Sequence, residues 1–186
     1  MPKTLPPNAP VLREQTTSTQ RWVAEVKSAS RARDADASGG RKIASVHQSP
    51  PATQLLSNGS YALMLTAAGS GYSRWGDIAV TRWREDATRD DSGSYIFLRD
   101  MRSGAVWSAG YQPTCVEPDE YAVDFNEDRV EIARRDDNLT TTLEVLVSAE
   151  HDAEVRRVSI ANAGSRTRDI EITSYSELAL ERAAFG

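Results

Sequence analysis

Three tryptophans, Trp75, Trp83 and Trp107, stand with Arg84, Asp86 and Gln112 inside one stretch of the chain, residues 54–113. An aromatic ring covers the C–H face of a pyranose, while guanidinium, carboxylate and amide groups take its hydroxyls. These six residues are therefore the candidate contacts for a sugar. The same residues admit a plainer reading, in which the rings belong to a core and the Arg–Asp pairs tie loops down. Two carboxylate clusters, Glu85/Asp86 and Asp90/Asp91, invite comparison with the paired acids of glycoside hydrolysis. They lie among Arg82, Arg84 and Arg89, whose charges keep carboxylates ionised and so unsuited to donating a proton. A salt-bridged loop or a sugar-hydroxyl contact is the expectation there, and no catalytic residue is assigned.

Other chemistries lack their parts. A nucleophilic serine has neither a Gly-x-Ser-x-Gly elbow nor a plausible base, since His47 lies in a linker-like stretch and His151 in a charged turn. Gly69-Ser70-Gly71 lacks the third glycine and the following helix of a dinucleotide site. The single cysteine, Cys115, forms no internal disulfide and, with two histidines, no recognisable zinc site. Neither metal nor cofactor is expected. A net charge of −5 offers no field for nucleic acid. No signal-peptide core and no run of 18 apolar residues is present, which reads as a cytoplasmic protein without direct membrane contact. Asn58-Gly59-Ser60 and Asn138-Leu139-Thr140 fit the glycosylation sequon but read as turns.

The elements that must position the candidate residues are strands. Residues 1–52 read as an N-terminal extension or linker, rich in Pro, Ser, Thr, Arg and Asp, with a short helix over residues 19–29 that carries Trp22, Val23 and Val26 and either docks or stays mobile. From Gln54 the pattern changes, and residues 53–186 read as the folded domain. Tyr61–Thr66, Ile78–Arg82 and Tyr95–Arg99 are short β-branched or aromatic runs, and Met101-Arg102-Ser103-Gly104 is a hairpin turn into residues 105–108. Farther on, Tyr121, Val123 and Phe125 share a face, as do Val130 and Ile132, and Leu139, Thr141, Leu143, Val145 and Val147 line one side of a long strand. Turns at Asn126-Glu127-Asp128 and Asp136-Asp137-Asn138 join them. Residues 155–162 and 168–180 are expected to form a final hairpin around Ala163-Gly164-Ser165, with Val158, Ile160, Ile170 and Ile172 inward. Consecutive strands with tight turns and alternating apolar residues make an all-β, antiparallel sandwich.

The spaced blocks Leu56-Ser57-Asn58-Gly59-x-Tyr61, Met64-x-Thr66, Gly69-x-Gly71-Tyr72-Ser73-Arg74-Trp75, Val80-Thr81-Arg82-Trp83-Arg84-x-Asp86, Tyr95-Ile96-x-Leu98-Arg99-Asp100 and Val106-Trp107-Ser108 through Gln112-Pro113 resemble glycoside hydrolase family 94. That family contains the cellobiose and related β-glucan phosphorylases. The likeness is strongest to the phosphorylase-like region of cyclic β-1,2-glucan synthetases and continues through Leu143-Glu144-Val145 and Glu154–Val158 to Glu171-Ile172-Thr173-Ser174-Tyr175-x-Glu177, covering roughly residues 54–180. It implies a galactose-mutarotase-like super-β-sandwich preceding an (α/α)6 barrel that carries the general acid and the phosphate-holding residues. Nothing in this chain matches the barrel. Ser60 and Ser92 depart from the family pattern, where an arginine and an aromatic residue are expected.

The resemblance also makes the sandwich incomplete at its C-terminus, since the chain stops after Ala183-Ala184-Phe185-Gly186. An open strand edge and a homodimer are the expectation. A β-linked glucan or gluco-oligosaccharide is the implied partner, and a full-length parent is compatible with membrane association. Three readings compete: a non-catalytic, carbohydrate-contacting scaffold of a glucan-processing enzyme, inactive by itself; a stand-alone structural or interaction module without a sugar site; and an independent enzyme such as an epimerase. The shortage of histidines argues against the last.

Overall fold

Alternation of apolar and polar residues builds the first sheet. β8 (Glu120–Phe125), β9 (Arg129–Asp136) and β10 (Leu139–Val147) form consecutive antiparallel hairpins, with β1 (Arg41–Ile43) on one flank and β11 (Glu154–Asn162) on the other. These elements come from a computed structural model, which describes residues 40–47, 51–83 and 91–182. β10 buries Leu139, Thr141, Leu143 and Val145 on one face, as its period of two requires. Each of its aliphatic side chains contributes on the order of 2 kcal/mol by leaving water.

A second sheet has the order β13-β5-β4-β3-β2, built from β2 (Thr53–Ser57), β3 (Tyr61–Thr66), β4 (Gly71–Trp75), β5 (Ile78–Thr81) and β13 (Leu178–Arg182). A third pairs β12 (Ile170–Ser176) with β6 (Ser94–Asp100), and β6 with β7 (Val106–Ser108). Every pairing is antiparallel. The inward faces of all three sheets meet in one core that includes Leu56, Leu63, Leu98, Trp107, Ile132 and Val145, with β10 facing β2 and β3. This is the expected all-β antiparallel sandwich.

Polar bonds lace the layers together. Tyr121 Oη donates to Ala67 O at 2.8 Å, and Arg156 Nη1 to Ser94 O at 2.7 Å. Glu154 Oε2 accepts from Ser73 Oγ at 2.5 Å and from Tyr61 Oη at 3.2 Å, while its other oxygen takes Arg156 Nε at 2.8 Å.

A charged residue, Arg134, is built into the core itself. It occupies the inward row of β9 after Val130 and Ile132, and its side chain is fully buried. Nε and Nη2 grip Asp136 at 2.8 and 2.6 Å, Nη1 donates to Ser108 O and Gly110 O at 2.9 and 2.6 Å, and Nη2 also reaches Val116 O at 3.2 Å. All five donors of the guanidinium are used. The loop after β7 is thereby fastened to the first sheet.

The structure departs from the sequence reading at several elements. The final hairpin does not form: β11 pairs with β10, whereas β12 crosses to β6 and β13 to β5. Val158, Ile160 and Ile170 pack against the core as expected, but Ile172 is exposed, because β12 lies at the outer edge of its sheet. Arg41–Ile43, inside the linker-like stretch, is a strand on β8, with the Arg41 guanidinium over the Phe125 ring at 5.0 Å. β4, with Gly71 and Ser73 among its five residues, carries no apolar alternation that announces a strand. Here the glycine serves close approach, since a Cβ on Gly71 would lie 1.9 Å from Met64 O on β3. The helix expected over residues 19–29 lies outside the described residues.

Candidate functional site

At one end of the sandwich three turns converge. The first follows β6, whose last residue, Asp100, is buried. Its Oδ1 accepts the backbone N–H groups of Arg102 and Ser103, both at 2.8 Å, so the carboxylate shapes the turn into β7. The second is the β9–β10 hairpin tip, where Asp137 adopts a φ of 55°, a left-handed conformation that aspartate tolerates. The third is the crossing from β11 to β12, tied by Asn162 Nδ2 to Arg166 O at 2.8 Å and by Gly164 N–H to Asn162 Oδ1 at 3.0 Å. Arg168, on that crossing, clasps the other two: its Nε donates to Asp100 Oδ2 at 2.5 Å and its Nη1 lies 3.6 Å from Asp137 Oδ2.

Between these turns opens a cavity of about 590 Å³, walled by Arg102, Asn138, Asn162 and Arg166 together with the clasp. A second cavity of about 290 Å³ shares Asp137 and Arg168 with it and runs on to Trp107, Val116 and Glu117. The two make one groove with a polar end and a more apolar end. Dimensions of this order suit a saccharide of one or a few units.

Asp100 is ionised here. The Ser103 N–H, the Arg168 guanidinium and the Arg102 N–H, working against burial, lower its pKa from 3.8 to about 2. A depressed folded-state value means that the charged form stabilises the fold above the ordinary aspartate pKa, and that this contribution is lost as pH falls through the folded value. The window is from about pH 4 down to about pH 2. Asp100→Asn should therefore flatten the acid limb of stability: urea midpoints compared at pH 6 and pH 2.5 should fall less in the variant than in the wild type. Equal falls would remove Asp100 from that role.

Four of the six residues singled out in the sequence lie among the described residues, and these four have separate surroundings. Trp107 is buried on β7 and lines the smaller cavity, and its indole Nε1 has no hydrogen-bond partner. Trp75, half exposed at the end of β4, donates its Nε1 to Asp152 Oδ2 at 2.7 Å. The Ser60 hydroxyl, then this indole, then Asn58 hold the Asp152 carboxyl below its usual range. Asn58 Nδ2 in turn reaches Ser148 O and His151 O, both at 3.0 Å, pinning the β2–β3 turn to the β10–β11 turn. That cluster and the groove lie beyond opposite ends of nine-residue β10, a strand roughly 30 Å long at its normal rise. Trp83, also half exposed, packs on Tyr72 with ring centroids 5.0 Å apart. Gln112 donates its backbone N–H to Ala68 O at 2.9 Å, and its side-chain oxygen accepts from Cys115 Sγ at 3.4 Å. Arg84 and Asp86 lie outside the described residues.

The groove thus keeps Trp107 and recruits Asp100, Arg102, Asp137, Asn162, Arg166 and Arg168. Their turns are readable in the sequence, but their convergence depends on the crossing to β12, which no local pattern announces.

Comparison with known proteins places the chain. Residues 41–185 match the family described as "Glycosyl hydrolase 94, supersandwich domain". The cyclic beta-(1,2)-glucan synthase NdvB of Rhizobium meliloti (strain 1021) is 46% identical over 125 residues, which are 67% of this chain and 4% of that protein. The N,N'-diacetylchitobiose phosphorylase of Vibrio furnissii is 27% identical over 143 residues, 72% of this chain and 17% of that enzyme. The 3-O-beta-D-glucopyranosyl-beta-D-glucuronide phosphorylase of Paenibacillus borealis is 26% identical over 122 residues, 65% of this chain and 15% of that enzyme. The chain therefore spans only a small part of the length of each.

Proposed function

This chain belongs to the glycosyl hydrolase 94 family, as a supersandwich domain, and on that premise we propose that it is a non-catalytic, glucan-contacting scaffold of an enzyme of the cyclic β-1,2-glucan synthase or β-glucan phosphorylase kind. The saccharide lies in the groove between the Asp100, Asp137 and Asn162 turns. The observation that carries this reading is Trp107, an aromatic side chain in the wall of a cavity that shares Asp137 and Arg168 with a larger, more polar one. The indole supplies apolar surface for the ring, and the polar side chains of the larger cavity supply partners for its hydroxyls.

A non-catalytic role is supported by the state of the groove's carboxylates. Glycosyl transfer needs an acid that still holds its proton near neutral pH. Asp100 is pushed the opposite way, to about 2. Asp136 is gripped by Arg134, and Asp119 accepts the Asp137 N–H at 2.7 Å.

Titration with β-linked gluco-oligosaccharides, followed by amide shifts and tryptophan fluorescence, tests the proposal. Shifts should centre on residues 100–107, 137–139 and 162–168. Trp107→Ala, which removes the aromatic surface from the cavity wall, should weaken binding by about 3- to 10-fold. A flat response up to millimolar sugar would leave the stand-alone structural module as the better reading, and shifts confined to Trp75 or to the Tyr72–Trp83 pair would move the site there.

A further inference from the structure

The charges around the larger cavity do not balance. Every carboxylate in the walls of the groove already has a cationic or N–H partner. Asp100 has Arg168 and two backbone N–H groups, and Asp137 has Arg168 and the Asn138 amide at 3.0 Å. At the far end Asp136 has Arg134, Asp119 has Arg135 at 3.6 Å, and Glu117 has Tyr111 Oη at 2.9 Å and His47 Nε2 at 3.0 Å. Arg102 and Arg166 are the exceptions. Both line the larger cavity, and neither guanidinium has an ion pair or a hydrogen bond among the described residues. In a chain of net charge −5 this is a local excess of positive charge.

The backbones from which these two arginines project are held in place. Asp100 fixes the backbone of Arg102, and the Asn162 amide fixes that of Arg166, so both side chains are presented to the cavity from ordered turns. A pair of forked donors with no acceptor among the described residues is suited to an oxyanion. Asn138 and Asn162, in the same walls, are suited to hydroxyls.

We infer that the larger cavity selects an acidic saccharide, with Arg102 and Arg166 taking its carboxylate or phosphate while the asparagines and Trp107 take the sugar. This rests on the reading that the groove holds saccharide. A uronate and a sugar phosphate present the same chemistry to the two arginines, namely two or three anionic oxygens on a pyranose, and only binding separates them.

The test uses the whole chain and four probes: a neutral β-linked glucobiose, the same disaccharide with glucuronate at its non-reducing end, glucose 6-phosphate, and inorganic phosphate. At low salt one of the acidic sugars should bind about tenfold more tightly than the neutral disaccharide. The preference should shrink in about 0.5 M salt and vanish in the Arg102→Gln/Arg166→Gln double variant. That variant should keep the wild-type melting temperature within a few degrees, because both side chains are exposed and have no partner among the described residues. Whichever acidic sugar is preferred identifies the source of the anion. Neutral and acidic sugars binding alike would overturn this inference and leave the groove reading standing. Phosphate alone matching the acidic sugars would reduce the site to a plain anion site and overturn the saccharide half. No sugar of any kind binding would remove the groove reading itself.

Discussion

Arg134→Ala is expected to lower folding stability by about 3–5 kcal/mol, the scale for stripping one partner from a buried ion pair. The side chain has no exposed surface, and its five donors serve one carboxylate and three backbone carbonyls. Truncation leaves Asp136 without its bidentate partner and the carbonyls of Ser108, Gly110 and Val116 without donors. It also opens a void where the guanidinium packs. Lysine should rescue little, since an ammonium on a flexible stem cannot reproduce a planar fork that reaches four groups at once. At roughly 4 °C per kcal/mol for a domain of this size, the melting temperature should drop by about 10–20 °C. Thermal and urea unfolding measure it, and a loss below about 1 kcal/mol would show that water replaces the guanidinium without cost.

Gly71→Ala should be nearly as damaging, about 3 kcal/mol or more, through overpacking against backbone that cannot rotate away. The added methyl group would sit 1.9 Å from Met64 O and 3.1 Å from Leu65 Cα, inside the β3–β4 ladder where Leu65 pairs with Gly71. Relief requires the two strands to part, which also strains the bond from Gly71 N–H to Ser92 O at 2.8 Å. Gly76→Ala is the control. Gly76 has a φ of 55°, but a methyl group added there would meet nothing within 4 Å, so only the conformational cost of about 1 kcal/mol remains. If the two variants lose the same stability, the close strand approach at Gly71 is not what selects glycine there.

How much of this is legible in the sequence depends on whether the information is local. β3 begins and ends where its sequence pattern says, because the Asn58-Gly59-Ser60 turn and the Thr66–Ser70 turn bound a short, nearly continuous apolar run. The β8–β9–β10 meander is legible for the same reason: each turn is two or three polar residues, and the inward rows are mostly apolar. The row of β9 nevertheless continues through Arg134, where a rule based on hydrophobicity alone would end the buried face. The partner of β12 escapes a local reading because adjacency in sequence favours β11, whereas the seven residues between them lead into another sheet. The same crossing hides the groove, for it is what sets Arg168 beside Asp100, 68 residues away. Trp107 stands out by residue type and does stand in the groove wall; its neighbours there are turn residues whose types are ordinary at turns.

The long reach of the last two strands also bears on synthesis. β6 receives β12 only when Ile170–Ser176 exists to pair with residues 94–100, and β5 receives β13 only when Leu178 can pair with Thr81. At ordinary elongation rates of about 5–20 residues per second, the ribosome needs on the order of 5–20 s to deliver those partners. For that interval the nascent sandwich carries two half-made sheets whose open strand borders are templates for association with other chains. The order in which the gene is read therefore imposes a vulnerable period that a protein with sequentially neighbouring strand pairs would not have.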